Sequence, residues 1–308
     1  VSMKAAKSPN EILQNLLSLQ ADSLVLFAAY DEQDVLRYAN KSFRSAYHLE
    51  PGEQLSWGAI MRRNYNAGLG TVLKTDNFDE WLISTQSRRG KMPFRAFETD
   101  LVDGRWLWMT ETVQPNGWML CIASDITQLR PDDRRLRQDR DLALRASQTD
   151  ELTGVANRRF IMARLEALVN RHLIGDTSHG CIAVLDIDHF KAINDRYGHQ
   201  SGDEVLLDFA RHAHSFVRRL DCFGRIGGEE FMFILPDTAL GHGIQFLERV
   251  LDRIRAARPL KTFPDFSYTC SAGITALLPG DTPHEVFARA DRGLYQAKLE
   301  GRNRINVI

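Results

Sequence analysis

The stretch "RIGGEEFMFILP", Arg225–Pro236, decides the reading of the fold. Phe231 to Leu235 is wholly apolar, which predicts a strand buried on at least one face. The Gly-Gly pair ahead of it reads as a two-residue hairpin turn, because glycine tolerates positive φ. Glu229 and Glu230 then stand at the root of the hairpin and point to opposite faces, so only one of them can serve a given site. A tight turn with solvated charges explains this stretch equally well when it stands alone. It acquires meaning only if other carboxylates converge on it. Such carboxylates lie in "CIAVLDIDHF" (181–190), where an apolar strand runs up to Leu185 and then delivers Asp186 and Asp188 to one side. Acids at the end of a buried strand are costly unless paired or bound to a cation. Two of them with a Glu from the hairpin predict a site of oxygen ligands suited to Mg²⁺ or Mn²⁺, and Mg²⁺ normally brings phosphates with it.

The neighbouring segments add groups that suit a nucleotide. Lys191 follows the acidic strand end and can meet a phosphate, and the Asn194 amide can read a base edge. Ser201 with Glu204 reads as a capping box. Val205, Leu206, Phe209, Ala213, Phe216 and Val217 form the apolar stripe of the helix that follows. Asp203 would sit in its first turn, where a negative side chain is favourable. Near the C-terminus, Thr282, Pro283 and Glu285 mark a helix start, and Gly301 suits the position just past its end. Lys298 and Arg302 lie four apart on the last turn, either as partners of the helix dipole or as an anion clamp. There is no GxxxxGK[ST] sequence, so a Walker loop does not hold the phosphates.

The 308 residues are enough for two ordinary domains, and 44% apolar with 26% charged residues is the composition of a globular protein. A formal net charge of −1 argues against a nucleic-acid polymer as partner. Cys121, Cys181, Cys222 and Cys270 form no CxxC pair and read as reduced thiols of a cytoplasmic protein. No apolar run approaches the roughly 20 residues of a membrane span. No secretory signal is read at the start, where Met3 is a plausible native first residue. All the tryptophans, Trp57, Trp81, Trp106, Trp108 and Trp118, lie in the first 120 residues, which predicts two different cores. Between the halves, Leu129, Leu136 and Ala143 recur every seven residues in a charged segment. That spacing predicts a connector helix and is compatible with a two-chain coiled coil.

In the first half, "DSLVLFAAYD" opens on a strand, and "YANKSF" reads as a helix beginning at an asparagine. "GRWLWMTETVQPNGWMLCIASDIT" alternates about a "QPNG" turn, as the closing hairpin of an antiparallel sheet does. Over residues 18–128 this pattern resembles the PAS sensor family, most specifically in its Asp125-Ile126-Thr127 ending. It carries no flavin-reactive cysteine motif, and His48 reads as a helix-surface residue, so the sensed ligand is unassigned.

"TDELTGVANRR", "DIDHFKAINDRYGHQSGD", "RIGGEEF" and "YQAKLEGRNR" occur in order and together resemble the diguanylate cyclase (GGDEF) family over about residues 147–308. The expected organisation is an extension over 1–17, a PAS-like module over 18–128, a connector over 129–148 and a GGDEF domain over 149–308. The fold class implied is α+β, with an antiparallel N-terminal module and a palm-like C-terminal domain whose antiparallel-centred sheet is flanked by helices. The resemblance implies a homodimer that condenses two GTP into cyclic di-GMP under PAS control. It makes Asp186, the Ile187 carbonyl and Glu229 ligands of two Mg²⁺ or Mn²⁺ ions per site, with Glu229 also the base for the ribose 3′-hydroxyl. It gives Lys191, Lys298 and Arg302 to phosphates, Asn194 and Asp203 to guanine, and places Phe190 among the substrate-binding residues. Gly227 and Gly228 let the backbone approach the triphosphate. Arg218 and Asp221, an RxxD ahead of the signature, imply a site for inhibitory product, with Arg249 as a second contact. Three rivals are weaker. A degenerate regulatory domain would have lost signature residues. A mixed cyclic dinucleotide is disfavoured by the acid at Asp203, which accepts from guanine's N1 and N2 donors. A phosphodiesterase would need an EAL motif, and none is present.

Overall fold

A computed structural model describes residues 8–128, 146–173 and 180–308 in two compact units. The first takes Val1–Phe78 and Met92–Asp141, the second Asp79–Lys91 and Leu142–Ile308. The expected connector lies almost entirely outside the described residues.

The first unit contains α1 (Pro9–Ala21), β1 (Leu26–Tyr30), β2 (Leu36–Ala39), α2 (Lys41–Tyr47), α3 (Trp57–Ala67), β3 (Phe94–Asp100), β4 (Trp106–Val113) and β5 (Met119–Asp125). Its antiparallel sheet has the order β2-β1-β5-β4-β3. The predicted hairpin is β4–β5, closed where Gln114 N–H donates to the Trp118 carbonyl at 2.8 Å and Gly117 takes φ +84°. Asn40 caps α2 as its sequence suggested. Its Oδ1 accepts from Phe43 N and Phe27 N, and its amide donates to the carbonyls of Gln20, Ser23 and Val25. Trp106 is buried, Trp118 is exposed, and His48 is an exposed left-handed cap. On α1, Ile12, Leu13, Leu16, Leu17 and Leu19 are all exposed.

The second unit holds most of α4 (Phe78–Gln86), then α5 (Arg158–Leu173), β6 (Gly180–Ile187), α6 (Phe190–Tyr197), α7 (His199–His214), β7 (Cys222–Arg225), β8 (Glu230–Pro236), α8 (Leu240–Arg255), β9 (Cys270–Ala276), α9 (Pro283–Leu299) and β10 (Ile305–Val307). The sheet order is β10-β9-β6-β8-β7, antiparallel except for the β9–β10 pair. Every residue of β6 is buried, because helices cover both faces. Cys181, Ala183 and Leu185 pack with Phe209 of α7 and Phe246 and Leu247 of α8. Ile182 and Val184 pack with Ile161 and Leu165 of α5 and Val286 and Leu294 of α9. Phe231 is fully buried between Phe209 and Phe223, at ring-centroid separations of 4.6 and 5.5 Å, and is worth about 1.5–3 kcal/mol in removed apolar surface. A Cβ at Gly273 of β9 would collide with the backbone of Ala290 and Leu294, so glycine is what lets α9 lie directly on the sheet.

Two helix starts compare instructively. Thr282 and Glu285 form the predicted capping box of α9, with Thr282 Oγ1 accepting from Glu285 N at 3.3 Å and Glu285 Oε2 accepting from Thr282 N at 2.9 Å. The Ser201–Glu204 box does not form. α6 closes at Tyr197 and α7 starts two residues later with Gly198 (φ +85°) in the cap position, so Ser201 is already helical and donates its hydroxyl to the Tyr197 carbonyl at 2.9 Å. Asp203 consequently lies beyond the first turn.

Candidate active site

The site gathers where β6 ends beside the β7–β8 turn. Asp186 pairs with Glu230 across the β6–β8 ladder, and Ile187 N–H donates to the Glu229 carbonyl at 3.3 Å. Both glutamates of the signature are therefore delivered beside the first acid of the strand. The turn itself differs from the expectation. Arg225 pairs with Phe231, leaving Ile226 to Glu230 between them, and neither glycine has positive φ. The loop closes instead by Ile226 N and Gly227 N donating to the Glu230 carbonyl. A Cβ at Gly227 would displace Glu230 Oε2 and crowd Glu230 Cβ and Cδ, each at 3.3 Å, and one at Gly228 would meet no protein atom within 4 Å. Gly228 thus leaves its side of the turn bare, while the Glu230 side chain lies against Gly227.

Asp186 is almost fully buried, and burial pushes its carboxyl up to about 6. The Lys298 ammonium opposes that rise and sits 2.7 Å from Asp186 Oδ2, while Glu229 and Glu230 reinforce it. A cation already occupies the mouth of this carboxylate. Among the described residues no three His, Cys, Asp or Glu side chains gather as a ready-made metal cage. The donors to be tested are two carboxylates, Asp186 and Glu229, with the Ile187 carbonyl. All are hard oxygens, and they fit Mg²⁺ or Mn²⁺ that keeps water or phosphate as its remaining ligands.

Asp188 does not join them. Its Oδ1 accepts from Ser271 Oγ at 2.7 Å, and its Oδ2 from Thr269 Oγ1 at 2.6 Å and Asn303 N at 3.0 Å. The expectation that Asp188 joins Asp186 at a cation is corrected, because its carboxylate is committed to donors on β9, on the residue before β9 and on the turn after α9.

The pair expected to read the base lies on α6 and α7. Asn194 Oδ1 is buried with no hydrogen-bond partner, and Asp203 is exposed. Gly202 stands against Asn194, where a Cβ would overlap its Oδ1. Lys191 is exposed at the start of α6. Phe190, expected beside the substrate, is instead a core residue with its side chain in the cluster under α7. Arg302 lies beyond α9 rather than on its last turn, with φ +64°.

Arg225, whose role no local pattern announces, reaches across the signature turn. Its Nε donates to the Gly227 and Gly228 carbonyls at 3.2 and 3.1 Å, its Nη2 to Gly228 O at 2.6 Å, and its Nη1 to Asp150 Oδ1 at 3.2 Å. Asp150 in turn accepts from Thr153 N and Thr153 Oγ1. Its carboxyl is held below the usual range by the Thr153 and Arg225 contacts, which together outweigh burial, the largest single influence on it. The guanidinium braces the bare turn from behind.

At the RxxD, Arg218 is exposed and Asp221 is buried, its Oδ2 accepting from Arg218 N at 2.8 Å. Burial pushes the Asp221 carboxyl up. Lys91 donates to the carbonyls of Arg218, Arg219 and Asp221. Arg249 is exposed and lies over the Phe216 ring, 5.8 Å from its centroid.

Comparison with known proteins bears on this geometry. The family model described as "Diguanylate cyclase, GGDEF domain" matches residues 147–304. The response regulator PleD of Caulobacter vibrioides is 38% identical over 245 residues, covering 78% of this chain and 52% of PleD. Diguanylate cyclase DgcP of Pseudomonas aeruginosa is 46% identical over 160 residues, covering 52% of this chain and 24% of DgcP. The chain thus spans about half the length of the first relative and a quarter of the second. The coiled coil and GGDEF domain of DgcB from Caulobacter crescentus, solved in complex with c-di-GMP, superimposes with a TM-score of 0.55 at 32% identity, over 57% of this chain and 93% of that one. With more than half of its residues matched by the family model, and with the signature turn set beside the strand-end acid, this chain belongs to the GGDEF-domain diguanylate cyclase family.

Proposed function

We propose that the chain is a diguanylate cyclase that joins two GTP molecules into cyclic di-GMP with release of two pyrophosphates. The observation that carries this reading is the register of β6 and β8. It puts Asp186 opposite Glu230 and ties Ile187 to Glu229, with the Lys298 ammonium on Asp186. Asp186, Glu229 and the Ile187 carbonyl are the residues to hold divalent cations. When bound, such ions supply positive charge for the ribose 3′-oxygen and the departing pyrophosphate. The protein's own part is positioning and proton transfer. The bare backbone of Gly227 and Gly228 admits the triphosphate. Lys191 and Arg302 neutralise phosphate charge, and Lys298 joins them when its hold on Asp186 is relieved. Asn194 Oδ1, buried and unpartnered, has acceptor capacity for a guanine donor, and Asp203 has more. In the chemical step the 3′-oxygen bonds to the α-phosphorus of the second GTP as the bond to pyrophosphate breaks, and Glu229 takes the hydroxyl proton. The step then repeats in the other direction.

Two GTP molecules on two domains require a homodimer. The exposed apolar residues of α1 support a self-associating face. The 2-1-5-4-3 antiparallel sheet of the first unit supports a PAS-type sensor over 18–128, and the match over 147–304 supports a cyclase domain over 149–308. Two structural neighbours solved with c-di-GMP favour product binding, and Arg218 and Asp221, with Arg249 from a partner copy, are the residues to hold it here. Four buried free thiols favour a reducing cytoplasm, and no helix among the described residues is long and apolar enough to cross a membrane. The test is incubation of nucleotide-free protein with GTP and Mg²⁺, with products separated and weighed by mass spectrometry, beside Glu229→Ala. Cyclic di-GMP from the parent and none from the variant is the expected result. GTP left intact by a demonstrated dimer would overturn the reading.

A further inference from the structure

We infer that Asp188 is a positioning residue for Arg302, the buried post to which the anion-binding turn after α9 is tied. The inference rests on the proposed role of Arg302 toward phosphate. Asp188 is 4% exposed, yet no lysine, arginine or histidine among the described residues pairs with it. A buried carboxylate without a cation needs strong donors. It has three: the hydroxyls of Thr269 and Ser271 and the main-chain N–H of Asn303. The hydroxyls reach it from β9 and the residue before it, the sheet neighbour of β6. The third donor comes from 115 residues away and is the one that needs the carboxylate most, since a backbone N–H can only donate.

What that N–H belongs to gives the contact its meaning. Gly301, Arg302 and Asn303 all have positive φ, at +113°, +64° and +52°. Two successive non-glycine residues in the left-handed region are costly, and persist only where their surroundings over-determine them. Arg302 N donates back to the Ala297 carbonyl at 2.9 Å. Asn303 is gripped by Arg255, whose Nε donates to its Oδ1 at 2.7 Å and whose Nη2 donates to its carbonyl at 3.1 Å. Arg255 is well exposed, so its grip is the solvated one and that of Asp188 the buried one. Asp188 stands two residues after Asp186. One strand end therefore carries the cation-facing acid and also sets where the Arg302 guanidinium starts from. The helix before the turn brings Lys298 to the same strand end. Acid, ammonium and guanidinium are thereby held to a common frame.

This role differs from that of a metal ligand in what it demands of residue 188. Positioning needs an acceptor for Asn303 N–H, and needs no charge. An asparagine can place its oxygen where Oδ2 stands, keeping Asn303 and Thr269, and its amide toward Ser271, whose hydroxyl turns to accept. Asp188→Asn is therefore expected to be near silent, whereas Asp188→Ala unties the turn. The experiment measures KM for GTP and kcat with the full chain and Mg²⁺ for the parent, D188N, D188A, Arg302→Asn and the D188A/R302N double variant. Asparagine is used at 302 because it tolerates positive φ. Thermal melts report the fold of each. R302N is expected to raise KM about tenfold, and D188A to raise it similarly with kcat within threefold. D188N should stay within threefold in both, and the double variant should match R302N alone, since D188A acts through the side chain already removed. A folded D188N with kcat depressed thirtyfold would overturn the inference, because charge and not acceptance would then be the requirement. So would multiplication of the two KM effects in the double variant, or a D188A without effect while R302N has one. R302N without effect would instead defeat the phosphate reading on which the inference stands. D188N alone carries the test should D188A not fold.

Discussion

Replacing Arg225 by alanine tests whether the bare glycine turn needs its brace. The guanidinium makes three contacts with the Gly227 and Gly228 carbonyls and one ion pair with Asp150, and is only 16% exposed against 23% for its partner. A partly buried ion pair contributes at most about 1 kcal/mol. Hydrogen bonds from a charged donor are worth more, roughly 1.5–3 kcal/mol each when fully desolvated. Here Gly228 is exposed, so its carbonyl can turn to water and the loss falls toward the lower end. With the Gly228 contacts exchanged for water, the Gly227 bond at about 1.5 kcal/mol and part of the ion pair leave about 2 kcal/mol for R225A, which for a unit of this size lowers the melting temperature by roughly 4–8 °C. The catalytic cost should be larger than the stability cost suggests, because the released turn carries Glu229. We expect kcat to fall at least tenfold, as a displacement near 1 Å costs on that order or more. Arg225→Lys should recover little, since one ammonium cannot span Asp150 and two carbonyls as the planar fork does. Asp150→Asn removes only the ion pair and should cost less than R225A. In the parent, the lowered Asp150 carboxyl contributes stability that is present above about pH 4 and lost as pH falls below it, and D150N should lack that acid limb. The assay is calorimetry paired with pyrophosphate release. A folded R225A with its melting temperature within 1 °C and kcat within twofold of the parent would refute the bracing argument.

Three further outcomes are expected. Asp186 keeps its proton to about pH 6 while an unfolded aspartate loses it near 4, so chelator-treated protein should lose up to about 3 kcal/mol as pH rises through that interval. Melts of Asp186→Asn in EDTA should lack this limb, and identical pH profiles for the two proteins would contradict the burial argument. Gly202→Ala should displace Asn194, raising KM for GTP at least tenfold, while the overlap at this buried position offsets the roughly 1 kcal/mol by which alanine favours a helix; an unchanged KM would remove Asn194 from the proposed base site. Leu13→Glu with Leu16→Glu places charge on the exposed face of α1 and should shift a dimer toward monomer in light scattering, with product formation falling in step. A double variant that remains fully dimeric would locate association elsewhere.

The limits of the sequence as a guide are clearest at Asp186 and Asp188. Strand periodicity put both acids on one side of the end of β6 and could not separate them. Their fates diverge through partners far away in the chain: Lys298 for the first, Thr269, Ser271 and Asn303 for the second. No local pattern encodes such a choice. The helix starts divide in the same way. Thr282–Glu285 could be read because both halves of that cap lie within one turn of α9, whereas Ser201–Glu204 satisfied the same rule and failed because α6 ends immediately upstream and Gly198 takes the cap. The Gly-Gly pair invited a turn chosen for positive φ. The actual loop uses neither glycine that way, and a Cβ at Gly228 would meet no protein atom, so the fold itself does not explain that glycine and any demand for a bare position there comes from what binds outside it. Arg225 and Asp150 belong to two sequence motifs 75 residues apart, with nothing in either to announce the other. Apolar runs, turns and caps are local properties and were legible. The direction of each charged group is a property of what the folded chain brings to it. At this site Lys298 comes from one helix end and Arg302 from the turn behind it, and both segments are tied to the strand end that carries the acid, Lys298 through Asp186 and the turn through Asn303 N–H on Asp188, which is the frame the proposed phosphate roles require.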